Sequence, residues 1–162
     1  MESNKKKEIG KIIIAILIPL VIGGLSAFFT KDAMANFKNL NQPFLSPPAW
    51  LFPVAWTILY ILMGISSYIV YKNKNVFLYK ERDNYLILYI VQLIFNFCWS
   101  IIFFNIKAYY FAFFWLICLW ILILLLIINA KKINKIAYYL LIPYIIWVTF
   151  AGYLNIMIAI LN

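Results

Sequence analysis

The chain has 162 residues, of which 67% are hydrophobic and 20% aromatic, and its net charge is +9. This composition excludes an ordinary water-soluble domain and predicts an integral membrane protein with a single domain over residues 1–162. The sequence has no histidine, which excludes histidine catalysis and a histidine-held haem or zinc, so we expect no metal site. The basic residues flank apolar stretches instead of forming one patch, so we expect a lipid bilayer as a partner and no nucleic acid.

Charge-free windows divide the chain into predicted transmembrane spans. A helix needs about 20 apolar residues to cross roughly 30 Å of hydrocarbon, so each window holds one span. The narrowest boundary lies at Lys107, but without a break there residues 84–130 would form one helix of roughly 70 Å, about twice the membrane thickness. The predicted fold is therefore an all-α membrane protein, a bundle of five transmembrane helices, with spans at 12–30, 47–71, 84–105, 108–130 and 136–160.

The first span contains Pro19 and the pair Gly23-Gly24, which favour a kink and close packing against a neighbouring helix. The start of the chain also resembles a signal peptide, with Ala33-Met34-Ala35 as a cleavage site. Its apolar run of about 19 residues exceeds the 7 to 15 residues of a signal-peptide core, however. We therefore interpret it as a membrane span.

The connection from Lys31 to Ser46 is the longest between spans and is rich in proline. Ser46 is predicted to be the N-cap of the second helix, with Pro47 at the first helical position, where a missing N–H costs nothing. Pro53 then predicts either a later start of this helix or a bend in it. Pro143 likewise predicts a bend in the fifth helix or its start.

Basic residues are distributed unequally between the two ends of the predicted bundle. Eleven lie on the side of the N-terminus, and three, namely Lys31, Lys38 and Lys107, lie on the other side. The positive-inside rule therefore predicts a cytoplasmic N-terminus. The C-terminus and the proline-rich connection are predicted to lie outside, in the cell membrane of a bacterium.

Polar and aromatic residues recur at spacing four in three spans, which places each set on one helix face. These sets are Phe52, Trp56, Tyr60 and Gly64; Gln92, Asn96 and Ser100, flanked by Trp99 and Phe103; and Trp147, Ala151 and Asn155. The faces predict either one shared ligand cavity or polar contacts between helices with the tryptophans filling the core. Trp50, Trp115 and Trp120 are predicted to face lipid or the membrane interface, and Cys98 and Cys118 to be small apolar residues.

Three ordered blocks resemble the TspO/MBR family, the tryptophan-rich sensory proteins whose mitochondrial members are translocator proteins or peripheral benzodiazepine receptors. The blocks are Pro43…Pro47-Pro48-x-Trp50-x-Phe52-Pro53-x-Ala55-Trp56-x-x-Leu59-Tyr60-x-x-Met63, Gln92-Leu93-x-x-Asn96-x-x-Trp99-Ser100-x-x-Phe103-Phe104, and Pro143-Tyr144-x-x-Trp147-x-x-x-Ala151-x-x-Leu154-Asn155. The resemblance covers nearly the whole chain, and it implies a cavity capped by the connection between the first two helices.

By position, the resemblance implies that Trp56 and Trp147 are the pocket tryptophans and the residues that act on a bound ligand. The remaining implied ligand-binding positions are Phe37, Pro48, Tyr60, Asn96, Trp99, Ser100, Phe103 and Ala151, and we add Asn155 from the face that it shares with Trp147. The chain has Asn36-Phe37 where the family usually has Trp-Tyr, and Leu45 where it has a tryptophan, which predicts a thinner lid. No basic residue follows Tyr153, so cholesterol is the weakest candidate ligand.

The function implied is binding of tetrapyrroles such as protoporphyrin, and of other apolar small molecules, with light-dependent and oxygen-dependent breakdown of the porphyrin. No cofactor is expected beyond the porphyrin as ligand or substrate. The alternatives are an exporter of porphyrin or lipid, and a sensory or structural membrane protein that a ligand regulates. A homodimer is expected because relatives often pair through a helix face, although the spans contain no G-x-x-x-G.

Overall fold

The computed structural model describes the backbone of residues 2–37 and 39–162, and the side chains of residues 5–34 and 39–162. Within these ranges the regular structure is helical, and five helices are long and apolar enough to cross a membrane. They are α1 (Glu2–Phe37), α2 (Leu51–Tyr71), α3 (Tyr79–Ser100), α4 (Tyr109–Ile133) and α5 (Lys135–Leu161). The predicted all-α bundle of five membrane-spanning helices is confirmed.

Helix α1 extends beyond the predicted span 12–30 at both ends. The prediction stopped at charged residues, but lysine and glutamate are good helix formers and continue the helix outside the hydrocarbon. An ion pair of 2.9 Å between Lys11 Nζ and Glu8 Oε1 supports one of the added turns.

Helix α2 begins at Leu51, four residues later than predicted, so the assignment of Ser46 as its N-cap is wrong. The Ser46 hydroxyl instead donates a hydrogen bond of 3.0 Å to Gln42 Oε1 within the connection. Pro48 lies in a turn closed by a 2.9 Å bond from the Leu51 N–H to its carbonyl. Pro53 therefore falls in the first turn of α2, where proline removes no intrahelical hydrogen bond, and the late-start alternative is correct.

Helix α3 passes into a single π-helical turn, Ile101–Asn105, before the chain reverses. Lys107 has a φ of 57°, a left-handed conformation that breaks the helix, and α4 begins two residues later. The predicted division at Lys107 is thus correct. Asn105 secures the turn, because its side-chain amide donates a 3.0 Å hydrogen bond to the Phe29 carbonyl of α1.

One residue, Asn134, separates α4 from α5. Its side chain caps α5 by accepting hydrogen bonds from the N–H groups of Ile136 and Ala137, at 2.8 Å and 3.2 Å. Pro143 consequently lies about two turns inside α5 and does not mark its start.

Helix α4 packs against α3 and α5, α2 packs against α5, and α1 lies against α2. Gly64 permits the close approach of α1, since a Cβ there would lie 2.5 Å from Ile16 Cα. The half of the bundle remote from the α1–α2 connection is filled by side chains with almost no exposure, among them Met63, Val70, Tyr85 and Leu141. The interior of the other half contains a cavity.

Candidate ligand site

A cavity of about 590 Å³ lies in the half of the bundle nearest the α1–α2 connection. This volume falls within the range of roughly 300–1,000 Å³ that is usual for small-molecule sites. Its walls come from α1, α2, α5 and the end of α3 with its π-helical turn, and the connection covers one side. Among the described residues that line it, none is charged.

Two tryptophans on different helices form aromatic walls of this cavity. Trp56 of α2 stacks on Tyr60 with ring centroids 5.5 Å apart and meets Tyr144 edge-on at 6.3 Å. Trp147 of α5 meets Phe52 edge-on at 6.1 Å. Because packing with rigid neighbouring rings fixes these indoles, they present defined flat surfaces to a ligand.

A third aromatic wall comes from the end of α3. Trp99 stacks on Phe103 at 5.3 Å, and Phe104 meets Phe103 edge-on at 4.9 Å. Both phenylalanines line the cavity although they are adjacent in sequence, in a π-helical turn of the kind that often occurs at functional sites. Ser100 and Ala151 also line the cavity, as predicted.

The floor of the cavity is a chain of buried hydrogen bonds. The Tyr60 hydroxyl donates to Asn96 Oδ1 at 2.8 Å, and Asn96 Nδ2 donates to the Tyr144 hydroxyl at 3.2 Å. That hydroxyl in turn donates to Gln92 Oε1 at 2.8 Å. Asn96 therefore lies behind Tyr60 and does not line the cavity. In this structure Gln92 and Asn96 make polar contacts between helices, and the predicted role of Asn96 in ligand binding stays a prediction.

Asn155 lines the cavity, but its polar atoms are already bonded between helices. Its Oδ1 accepts a 3.1 Å hydrogen bond from Trp99 Nε1, and its Nδ2 donates at 2.8 Å to the Tyr109 carbonyl. The side chain thus joins α3, α4 and α5 around the aromatic wall.

The connection between α1 and α2 covers the cavity through the side chains of Gln42, Ser46, Pro47 and Ala49. Pro47, and not the predicted Pro48, contributes to the lining. The side chain of Phe37, another predicted ligand contact, lies outside the described residues.

Reciprocal hydrogen bonds tie this lid to the end of α5. The Asn41 N–H donates to Asn162 Oδ1 at 2.9 Å, Asn162 Nδ2 donates to the Asn41 carbonyl at 3.2 Å, and Asn41 Nδ2 donates to the Leu161 carbonyl at 3.1 Å. We call these contacts the lid clasp. They hold the connection across the opening of the cavity.

Sequence reasoning missed the wall that α1 contributes. Its lining residues are Leu20, Gly23, Gly24, Ser26, Ala27, Thr30 and Met34. A signal for them was present, since pairs such as Gly23 and Ala27 place small residues at spacing four on one face. The glycine pair was interpreted only as a packing feature.

Two threonine hydroxyl groups on the walls also make hydrogen bonds to the protein. Thr30 Oγ1 donates to the Ser26 carbonyl and Thr57 Oγ1 to the Pro53 carbonyl, each at 2.8 Å. The cavity is consequently apolar in its chemistry. It is suited to a flat apolar ligand that is selected by shape and stacking.

The other tryptophans lie outside the cavity. Trp50 is 64% exposed, as expected for an interface residue. Trp115 and Trp120 instead join helices, since their Nε1 groups donate at 2.9 Å to the Phe95 carbonyl and to Thr149 Oγ1. Both side chains are also partly exposed, so their contact with lipid or the membrane interface stays a prediction.

Comparison with known proteins gives a consistent result. Residues 15–161 match the TspO/MBR family. The chain is 36% identical over 160 residues to the tryptophan-rich protein TspO of Chlorobaculum tepidum, covering 96% of this chain and 98% of that protein. It is 36% identical over 153 residues to the tryptophan-rich protein TspO of Archaeoglobus fulgidus, with 94% and 97% covered. The translocator protein of Bos taurus is 31% identical over 149 residues, with 86% and 82% covered. The chain belongs to the TspO/MBR family.

Proposed function

We propose that this membrane protein binds protoporphyrin in the cavity and promotes its light-dependent and oxygen-dependent breakdown. One observation carries the proposal: Trp56 and Trp147 both line a single aromatic cavity of about 590 Å³ whose described lining residues carry no charge. A porphyrin is a flat apolar macrocycle, and each aromatic pair adds roughly 0.5–1.5 kcal/mol beyond the burial of area. Its carboxylates would lie towards the lid, where Gln42 and Ser46 supply polar groups.

A metal-free porphyrin fits this cavity better than haem. The sequence has no histidine, the usual strong axial ligand, and the cavity walls supply indole and phenyl faces. Light absorption and reaction with oxygen are then properties of the porphyrin. The protein contributes proximity and two oxidisable indoles, Trp56 and Trp147.

Binding is favoured over transport along the bundle axis because the space below the cavity is filled. The hydrogen-bonded floor at Tyr60, Asn96 and Tyr144 is followed by the fully buried Met63 and Tyr85. Opening a path there would break buried hydrogen bonds and a close-packed core.

Mass spectrometry of protoporphyrin incubated with the purified protein tests this function. We expect a new oxidised product in light with oxygen, and unchanged porphyrin in darkness or without oxygen. The same product yield with a detergent-only sample would contradict the proposed activity. Porphyrin accumulation across protein-containing vesicles, without any product, would support transport instead.

We also propose an orientation in the cell membrane, with a cytoplasmic N-terminus and with the lid and C-terminus outside, from the eleven basic residues against three. A reporter fused after Asn162 should be active only outside the cytoplasm.

A homodimer is part of the proposal too, since α1 and α3 expose apolar side chains such as Ile14 and Ile90. A particle mass of one chain in bilayer discs would contradict it.

A further inference from the structure

A second pocket, of about 740 Å³, lies at the opposite end of the bundle from the cavity. It is formed where the first turns of α1, the last turn of α2 and the start of α3 meet. Its charged lining residues, among those described, are Lys7, Glu8, Lys11, Lys72, Lys74 and Arg82. We call it the basic pocket.

Glu8 holds two of the cations in place at the centre of this pocket. Its Oε1 lies 2.9 Å from Lys11 Nζ, and its Oε2 lies 3.2 Å from Lys72 Nζ. The Tyr68 hydroxyl donates a 2.8 Å hydrogen bond to the same Oε2. The hydrogen bond to Glu8 also raises the pKa of Lys72, so this ammonium group stays charged at physiological pH.

The charges in the lining do not balance. Five basic side chains surround one carboxylate, so the described lining carries an excess of four positive charges. Arg82 is also paired with Asp83 at 3.1 Å, and counting this neighbouring carboxylate still leaves an excess of three positive charges. Like charges gathered around an open volume repel one another, and a bound anion relieves that repulsion.

Apolar surface borders the same pocket. Tyr68, Tyr71 and Leu86 complete its lining, and Tyr71 is 58% exposed. Further along α1, beyond Lys11, Ile14 and Leu17 are also exposed. The basic pocket therefore lies at the level of a lipid headgroup, and aliphatic side chains continue from it to the depth of acyl chains.

We propose that the basic pocket binds an anionic phospholipid through its headgroup phosphate. The ammonium groups of Lys7, Lys11, Lys72 and Lys74 and the guanidinium of Arg82 would surround the phosphate oxygens. The acyl chains would follow α1 into the bilayer. Basic pockets between helices at the cytoplasmic face are a known way of holding such lipids, and the charge distribution of this chain predicts that face here. This site is independent of the cavity under the lid.

Native mass spectrometry with phosphatidylglycerol and phosphatidylcholine as probes tests the assignment. The pocket variant is Lys7→Gln, Lys74→Gln and Arg82→Gln, which leaves the ion pairs of Glu8 intact. The matched control is Lys131→Gln, Lys132→Gln and Lys135→Gln, which removes three basic residues at the same end of the bundle but outside the pocket. Unchanged thermal unfolding in phosphatidylcholine shows that each variant is folded.

We expect the wild-type protein to retain phosphatidylglycerol in preference to phosphatidylcholine. The pocket variant should bind phosphatidylglycerol at least about tenfold more weakly, and the control should bind it normally. Equal losses in both variants, or no preference between the two lipids, would overturn the proposal. Retention of inorganic phosphate without retention of phosphatidylglycerol would show that the pocket recognises the free anion, and would overturn the lipid assignment.

Discussion

Gly23 of α1 lies directly against the phenol ring of Tyr60 in α2. A Cβ on Gly23 would overlap Tyr60 Cε2 and would lie 2.8 Å from both Cδ2 and Cζ. Tyr60 in turn stacks on Trp56 and donates its hydroxyl to Asn96. The absence of a side chain at one position of α1 therefore sets the position of an aromatic wall and of the cavity floor.

We predict that Gly23→Ala destabilises the protein and weakens porphyrin binding. The added methyl group displaces a ring that is both stacked and hydrogen-bonded. Overpacking of this kind costs about 1–3 kcal/mol, which exceeds the gain of about 1 kcal/mol in helix propensity. Thermal unfolding in detergent and porphyrin titration measure the two effects.

Gly24→Ala is the matched control, because a Cβ on Gly24 has no atom within 4 Å. It should keep or raise the unfolding temperature, since alanine favours the helix. Equal unfolding temperatures for Gly23→Ala and Gly24→Ala would show that Tyr60 moves without cost.

The hydrogen bond between Tyr60 and Asn96 is predicted to stabilise the bundle. Tyr60→Phe leaves Asn96 Oδ1 buried without this donor, and we expect a loss of about 0.5–2 kcal/mol in the free energy of unfolding. A double-mutant cycle with Asn96→Leu should give a coupling energy of similar size. Porphyrin affinity of Tyr60→Phe should change less than twofold, because the ring remains in the wall.

Tyr110→Phe serves as the control for the removal of a hydroxyl group, because Tyr110 is 65% exposed. It should leave the unfolding free energy unchanged. A coupling energy of zero between positions 60 and 96 would mean that this hydrogen bond contributes nothing net.

Sequence patterns predicted much of this arrangement, because spacing four identifies the face of a helix. Trp56, Trp99, Trp147 and Ala151 were all placed on faces that do line the cavity. The helix face on which a residue lies does not determine its depth along the bundle axis, however. Asn96 lies on the same face of α3 as Ser100, yet one turn separates a residue in the floor from a residue at the cavity.

The lid and α1 were harder to predict for two different reasons. In the lid, the late start of α2 changes which proline meets the cavity, and local capping signals favoured the earlier start at Ser46. In α1, several lining residues, such as Gly23, Gly24 and Ala27, are small, so they contribute space and carry no chemical signature. Their role depends on what packs opposite, as with Gly23 and Tyr60.

The lid clasp is predicted to slow the escape of a bound ligand. Asn162→Ala removes the hydrogen bonds that its side chain makes with the Asn41 N–H and carbonyl. Each such bond contributes about 0.5–1.5 kcal/mol, so we expect the loss of both to accelerate porphyrin dissociation by at least about fivefold. Stopped-flow fluorescence with an excess of competing ligand measures this rate.

Asn39→Ala is the control within the same connection, because that side chain is exposed and takes no part in the clasp. Its dissociation rate should equal that of the wild type. An unchanged rate in Asn162→Ala would show that the lid opens independently of the clasp.

Substitution of the two cavity tryptophans should affect porphyrin binding and porphyrin photochemistry to different extents. Trp56→Phe and Trp147→Phe each keep an aromatic wall but remove a readily oxidised indole. We expect porphyrin affinity to fall by less than about tenfold, or roughly 1.4 kcal/mol, as measured by absorbance titration. The yield of light-dependent product should fall much further.

Trp147→Phe should also be well tolerated by the fold. Its Nε1 is buried without a hydrogen-bond partner among the described residues, so its removal relieves an unpaired donor.

Trp50→Phe is the control for both variants, since Trp50 is exposed and lies outside the described lining, and it should change neither affinity nor product. If Trp50→Phe lowered the product as much as Trp56→Phe, the indoles of the cavity would have no special part in the reaction. If Trp56→Phe and Trp147→Phe left both quantities unchanged, the assignment of these two tryptophans to porphyrin binding and to its photochemistry would be wrong.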